Sequence, residues 1–202
     1  MKNYFVTGIG TDVGKSIVSA VLVEKLQADY WKPIQTGSEN SDRPKVASLV
    51  TNEISKFHRE AYSFIEPKSP HIAASAAGKE IDLKSIEPPH SANENLVIEG
   101  AGGVLVPVNR TSFVIELVSR FDAEVVLVVR NYLGCINHSL LTLHYLLHHN
   151  YRLKGLVLNG DFESGVREVI CDKFNLPVLL EIPEMEKIGK IEISKLSTAM
   201  KW

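Results

Sequence analysis

Cysteine is scarce in this sequence. The 202 residues include two, Cys135 and Cys171, far apart and in no Cys-x-x-Cys pair. That excludes a disulfide framework and the common thiolate spacings for zinc, and it favours a reducing compartment. A basic excess is also missing: 22 Lys and Arg stand against 24 Asp and Glu, a formal net charge of −2. Nothing in that balance points to nucleic acid. No apolar run approaches the roughly 18–20 residues that span a bilayer, and the first residues enter a strand pattern without a secretory leader. The expectation is a soluble, cytoplasmic protein with neither nucleic-acid nor membrane partners. What remains is an ordinary globular composition, long enough for one domain over residues 1–202 with a sizeable core.

The most informative stretch is Thr7-Gly8-Ile9-Gly10-Thr11-Asp12-Val13-Gly14-Lys15-Ser16. It follows the apolar run Tyr4-Phe5-Val6 and precedes an apolar-periodic segment beginning at Ile17. Strand, glycine-rich turn, Gly-Lys-Ser and helix is the layout of a nucleotide-phosphate loop. Backbone N–H groups at the helix start cradle phosphate, the lysine reaches the terminal phosphates, and the Ser16 hydroxyl suits Mg²⁺. The pattern G-x-x-x-x-G-K-[ST] asks for glycine at position 9, where Ile9 stands; Gly8 lies one residue early. The alternative is a strand-to-helix turn with a surface lysine.

Downstream, the periodicity predicts a helix over 16–28 with Ile17, Ala20, Val21, Val23 and Leu26 facing a sheet, then a strand over 30–35 in which Pro33 marks an end or an edge. A short helix is expected over 44–50. Residues 51–93 are less regular, apart from a helix over 69–78 opened by Pro70 and stopped by Gly78. Strands are predicted at 96–99, 124–129, 153–158 and 177–182, and helices at 113–121, 136–149 and 166–174. The tail after residue 182 gives no pattern. Strands alternating with helices imply a three-layer α/β fold with a mostly parallel sheet and right-handed crossovers.

In such sheets ligands bind beyond the carboxyl ends of the strands, where the phosphate loop, Lys32 to Thr36, Glu99 and Asn159 all fall. Glu99 is either a solvated strand end or a ligand for Mg²⁺, which prefers a few oxygen donors. Asp42 is either a second such ligand or a helix cap. Lys32 either snorkels at a sheet edge or supplies charge to phosphoryl transfer. His144 and His148, spaced i, i+4, lack a third ligand and read as a helix's polar face.

Taken in order, several segments together resemble the dethiobiotin synthetase family. They are Tyr4-Phe5-Val6-Thr7-Gly8 with Val13-Gly14-Lys15-Ser16, Lys32-Pro33-Ile34-Gln35-Thr36-Gly37-Ser38, Glu66-Pro67-Lys68-Ser69-Pro70-His71, Glu99-Gly100-Ala101-Gly102-Gly103, and Leu133-Gly134-Cys135-Ile136-Asn137-His138. That family's loop shares the longer glycine spacing, so the resemblance implies a P-loop NTPase fold of the deviant Walker A type. It implies a homodimer that uses ATP, Mg²⁺ and bicarbonate-derived CO₂ to carboxylate and cyclise 7,8-diaminopelargonate. By position, Lys32 and Lys15 would be catalytic, and Ser16, Asp42 and Glu99 would hold the metal. ATP would lie against Asp12, Val13, Gly14, Lys15, Ser16, Ile17, Asp42, Glu99, Gly100, Ala101 and Gly102. Its base would lie near Asn159, Gly160, Pro183, Glu184 and Met185. The substrate would meet Thr36 and, from the neighbouring subunit, Gly134, Cys135, Ile136 and Asn137. The chain departs from the family pattern with Asp12 for Glu, Ser16 for Thr and Gly160 for Asp. Residues 8–12 lack the extra lysine of the related partitioning and division-site ATPases.

Overall fold

The computed structural model describes residues 1–202, the Asn40 side chain excepted. In chain order the elements are β1 (Lys2–Gly8), α1 (Lys15–Leu26), β2 (Asp29–Trp31), β3 (Ile34–Thr36), α2 (Asp42–Leu49), β4 (Phe57–His58), β5 (Tyr62–Phe64) and α3 (Pro70–Ala76). They continue with β6 (Asn95–Gly103), α4 (Glu116–Arg120), β7 (Glu124–Arg130), α5 (Cys135–His148), β8 (Leu153–Asn159), α6 (Ser164–Asp172), β9 (Val178–Ile182) and α7 (Lys190–Ala199). Seven strands form one sheet in the order β4-β2-β6-β1-β7-β8-β9, and every pairing in it is parallel.

The strands are apolar almost without interruption because both faces are covered. Along β7, Val125, Leu127 and Val129 join a core with Leu117, Leu143, Leu146 and Ile170 from α4, α5 and α6. The alternate residues Val126 and Val128 face the opposite core, with Val18 and Leu22 of α1, Val46 of α2, and Ile193 and Leu196 of α7. This period-two division makes the expected three layers.

Four local expectations change. The strand predicted over 30–35 splits at Pro33. β2 stays in the main sheet, while β3 pairs with β5 in a separate two-stranded sheet, since proline lacks the N–H that a continuous ladder requires. Helix α1 is buried on more than one face because α7 and α2 also pack on it. Val18 and Leu22 are therefore fully buried, while Ile17 and Leu26 are partly exposed. The helix predicted over 113–121 is regular only at Glu116–Arg120, and the unassigned tail forms α7.

Candidate functional site

Strand β1 ends at Gly8, and residues 9–14 turn the chain into α1 at the carboxyl edge of the sheet. Gly14 caps α1 with φ +97°, and a Cβ added there would stand 2.3 Å from Asn159 Nδ2. Both the backbone angle and the close approach require glycine. Asp12 also adopts positive φ, 56°, with its side chain exposed; aspartate tolerates that conformation better than most residues. No side chain caps the start of α1, which leaves its first N–H groups available to an anion. The Lys15 ammonium is buried and donates to the Gly10 carbonyl at 2.9 Å. Burial pushes its pKa down to about 8, with attraction to Glu99 opposing the shift and repulsion from Lys32 adding to it.

Beside the loop lies a charged clamp. Just beyond β2, Lys32 is 6% exposed and donates to Asp42 Oδ2 and, at 3.2 Å, to Glu99 Oε1. The Ser16 hydroxyl lies 2.6 Å from Asp42 Oδ1 and 3.1 Å from Glu99 Oε1. The buried Tyr30 hydroxyl donates to Glu99 Oε2 at 3.0 Å. Burial alone would lower the Lys32 pKa, but Glu99 and Asp42 outweigh it and hold that pKa above its ordinary value. Burial likewise raises Asp42, yet Lys32 and Ser16 bring it below the usual carboxylate range.

These contacts remove the edge, cap and solvated-end readings left open by the sequence. Lys32 does not snorkel at an edge, because β2 lies between β4 and β6. Glu99 is 1% exposed and so is not a solvated strand end. Ser41, not Asp42, is the N-cap of α2, and the Asp42 carboxylate turns toward Ser16 and Lys32. Two carboxylates and a hydroxyl converging on one point form an all-oxygen donor set of the kind Mg²⁺ takes, with room left for water or phosphate oxygens.

A cavity of about 600 Å³ opens over this cluster. Of the residues predicted from the sequence, Asp12, Gly14, Lys15, Ser16, Ile17, Lys32, Thr36, Asp42, Glu99, Ala101 and Gly102 line it. Val13 is buried behind the loop, and Gly100 packs against the Phe5 ring, where a Cβ would stand 2.8 Å away. Both shape the wall instead of lining it.

Two predicted groups lie outside the cavity lining. Asn159, at the end of β8, reaches the loop from behind, its Nδ2 donating to the Val13 carbonyl at 2.8 Å. Gly160 follows with φ +107°, and a Cβ there would stand 3.0 Å from Glu184 Oε1. A residue with a side chain would be strained at that backbone angle. Glu184 pairs with Arg130, and its N–H donates to Asp161 Oδ1 at 3.3 Å. Gly134 caps α5 with φ +104° and no side-chain cap. Cys135 is buried, Ile136 is partly exposed and Asn137 exposed, and the neighbouring Leu133 is fully exposed.

Some residues at the site were not picked out from the sequence. Gln35, 3% exposed, accepts the Asp42 N–H at 3.1 Å and donates to the Thr36 carbonyl at 2.6 Å, tying β3 to the start of α2. Tyr30 lies two residues before Lys32, and Lys45 follows Asp42 by one helical turn into the cavity lining. Strand and helix spacing mark the last two positions; only a partner assignment would have marked Gln35. His144 and His148 are exposed on α5, His144 edge-on to Phe174, and among the described residues no cluster of His, Cys, Asp and Glu suits a metal with three or more such ligands.

A family model described as an AAA domain matches residues 2–192. The chain is 47% identical over 190 residues to the ATP-dependent dethiobiotin synthetase BioD of Cytophaga hutchinsonii, covering 94% of this chain and 92% of that protein. It is 48% identical over 192 residues to the protein of the same name from Christiangramia forsetii, covering 95% and 87%. Among solved structures, the septum site-determining protein MinD of Pyrococcus horikoshii with Mg-ADP aligns at a TM-score of 0.52 and 13% identity, over 97% of this chain and 94% of that one. A Borrelia burgdorferi plasmid partition protein bound to AMPPNP aligns at 0.58 and 11% identity, over 98% and 95%. At such identities the structural likeness shows a shared P-loop NTPase fold.

Proposed function

This chain belongs to the ATP-dependent dethiobiotin synthetase family, and from that membership we propose how its charged cleft performs the family's reaction. The activity is ATP-dependent dethiobiotin formation, a ligase step of biotin biosynthesis. The observation that carries the mechanism is the clamp of Lys32 between Asp42 and Glu99, with the Ser16 hydroxyl between the same carboxylates.

One amine of 7,8-diaminopelargonate attacks CO₂, forming an N–C bond and losing a proton to give a carbamate. A carbamate oxygen then attacks the γ-phosphorus. An O–P bond forms, the bond to the β-phosphate oxygen breaks, and ADP leaves. The second amine attacks the carbonyl carbon of the resulting carbamic–phosphoric anhydride. The C–O bond breaks, phosphate departs with its electron pair, and the attacking amine gives up a proton to the departing phosphate or to water as the cyclic urea closes. The activation step is needed because a carbamate has no good leaving group until its oxygen is phosphorylated.

The chain's part is to bring anions together and neutralise them. Lys15 and the first N–H groups of α1 hold the phosphates, and Lys32 faces the charge that builds between carbamate and γ-phosphate. Mg²⁺, held by Ser16, Asp42 and Glu99, would neutralise phosphate charge and align the leaving oxygen. Thr36, on the cavity wall, contacts the diamine. The uncapped start of α5 at Gly134 to Asn137 receives the substrate carboxylate of a neighbouring subunit. In this reading a homodimer brings that helix start to the cleft of the neighbouring subunit. Residues 1–202 act as one domain in this reading, the base lies toward Asn159 and residues 183–185, and the site of action is the cytoplasm. No helix among the described residues is long and apolar enough to cross a membrane.

The test is to supply ATP, Mg²⁺, bicarbonate and the diamine, following phosphate release and the cyclic urea by mass spectrometry. Phosphate release should require the diamine and match urea formation one to one. Release indifferent to the diamine, with no urea, would overturn the mechanism.

A further inference from the structure

Three strand ends meet behind the phosphate loop, away from the charged clamp. Arg130 is the last residue of β7, Asn159 the last of β8, and Glu184 follows β9 by two residues. The Arg130 guanidinium donates through Nη1 to Asn159 Oδ1 at 3.3 Å and pairs through Nη2 with the Glu184 carboxylate at 2.7 and 2.9 Å. Asn159 is 8% exposed, and its other amide end donates to the Val13 carbonyl at 2.8 Å.

An amide side chain has one acceptor end and one donor end. Turned over, Asn159 would set its NH₂ against the guanidinium and its oxygen against the Val13 oxygen, so Arg130 fixes which way it lies. The Val13 carbonyl shares a peptide plane with the Gly14 N–H, and in a trans peptide the two point in opposite directions. Holding the carbonyl toward Asn159 therefore aims the Gly14 N–H the other way, and Gly14 lines the cavity. A glycine at φ +97° does little to hold that plane by itself.

The geometry points to Arg130 as a positioning residue for nucleotide binding: acting through Asn159, it sets the Val13–Gly14 peptide plane so that the loop's N–H groups face phosphate. Arg130 itself is not among the residues lining the cavity. This rests on the reading that the cavity over Lys15 holds nucleotide phosphates.

The experiment is a mutant cycle on the full chain, with ADP affinity from calorimetry and steady-state constants for ATP and the diamine. Arg130→Ala should weaken ADP binding and raise the KM for ATP by about tenfold, the effect of losing one hydrogen bond to a charged group. The kcat and the diamine KM should stay within about twofold, a split that a general structural defect would not produce. Arg130→Lys keeps the packed stem and one donor, so it should recover part of the loss. The decisive comparison is Arg130→Ala with Asn159→Ala: if Arg130 acts through Asn159, the double variant binds ADP no more weakly than Asn159→Ala alone. Effects that multiply, a lysine variant as weak as the alanine one, or unchanged ADP affinity in Arg130→Ala would each overturn the proposal. A wild-type protein that binds ADP and shows this pattern but forms no cyclic urea would refute the synthetase mechanism while leaving the role of Arg130 standing.

Discussion

Two buried charged clusters flank the same short strand, and they differ in one respect. At the start of β2, Asp29 is fully buried and accepts from the Lys56 N–H at 2.9 Å, from Ser91 Oγ at 2.5 Å and from Asn93 Nδ2, with His58 Nε2 at 2.6 Å. Just past its other end, Lys32 lies between Asp42 and Glu99. Both clusters compensate the cost of burying charge with close partners. The Asp29 partners enclose it and join β4 and the 91–93 loop to β2, whereas the Lys32 cluster opens into a cavity of about 600 Å³. Burial and hydrogen bonding alone do not distinguish structure from function. The presence of space for a ligand beside the charge does.

Predictions that sharpen this contrast begin with the largest effect. Lys15→Ala should lower turnover by about 10²-fold or more, by loss of one preorganised donor to phosphate, and should also weaken ADP binding in calorimetry. Gly14→Ala combines a strained backbone angle with a clash against Asn159. It should cost on the order of 1–3 kcal/mol, divided between folding stability and ADP affinity, measured by urea titration with and without ADP.

At the closed cluster the expected effect moves from turnover to stability. Asp29→Asn presents an NH₂ to a ring of donors and should cost on the order of 2 kcal/mol, read from chemical denaturation. Its pH signature has a defined sign. Burial would raise the Asp29 pKa, but Ser91, the Lys56 N–H and His58 outweigh burial and hold it below the ordinary value. The native protein then draws stability from this group above the unfolded carboxylate value of about 3.9, and loses it as pH falls through the lower folded value. The Asn variant should therefore show a flatter decline of stability on acidification. The smallest effect belongs to His144→Ala, on the exposed face of α5. Stability should change by no more than about 0.5 kcal/mol and turnover not at all. A zinc-dependent change in either would contradict the polar-face reading.

How much was legible in the sequence follows from the range of the interactions involved. The phosphate loop is a contiguous motif, and β1, β7 and β8 are apolar runs, so both survive reading one residue at a time. Lys32, Asp42 and Glu99 were recognisable as site residues, but the choice between function and cap, edge or solvated end needed their mutual contacts. β4 and β5 are two and three residues long, too short to show a period. The buried positions of α7, Ile193, Leu196 and Ser197, keep helical spacing, but the surrounding charge in the tail obscured it. Asp29, Gln35 and Arg130 carry no local signal; each acts through partners distant in sequence or at another element's start.

The division of labour along β2 is tested most directly by comparing Lys32→Ala and Asp29→Asn at one temperature below both unfolding midpoints, with turnover measured on the folded fraction of each. Asp29→Asn should keep kcat within about twofold of wild type despite its lower stability, while Lys32→Ala should lose about 10²-fold or more. Near-wild-type turnover in Lys32→Ala, or an equal loss in both variants, would contradict the account.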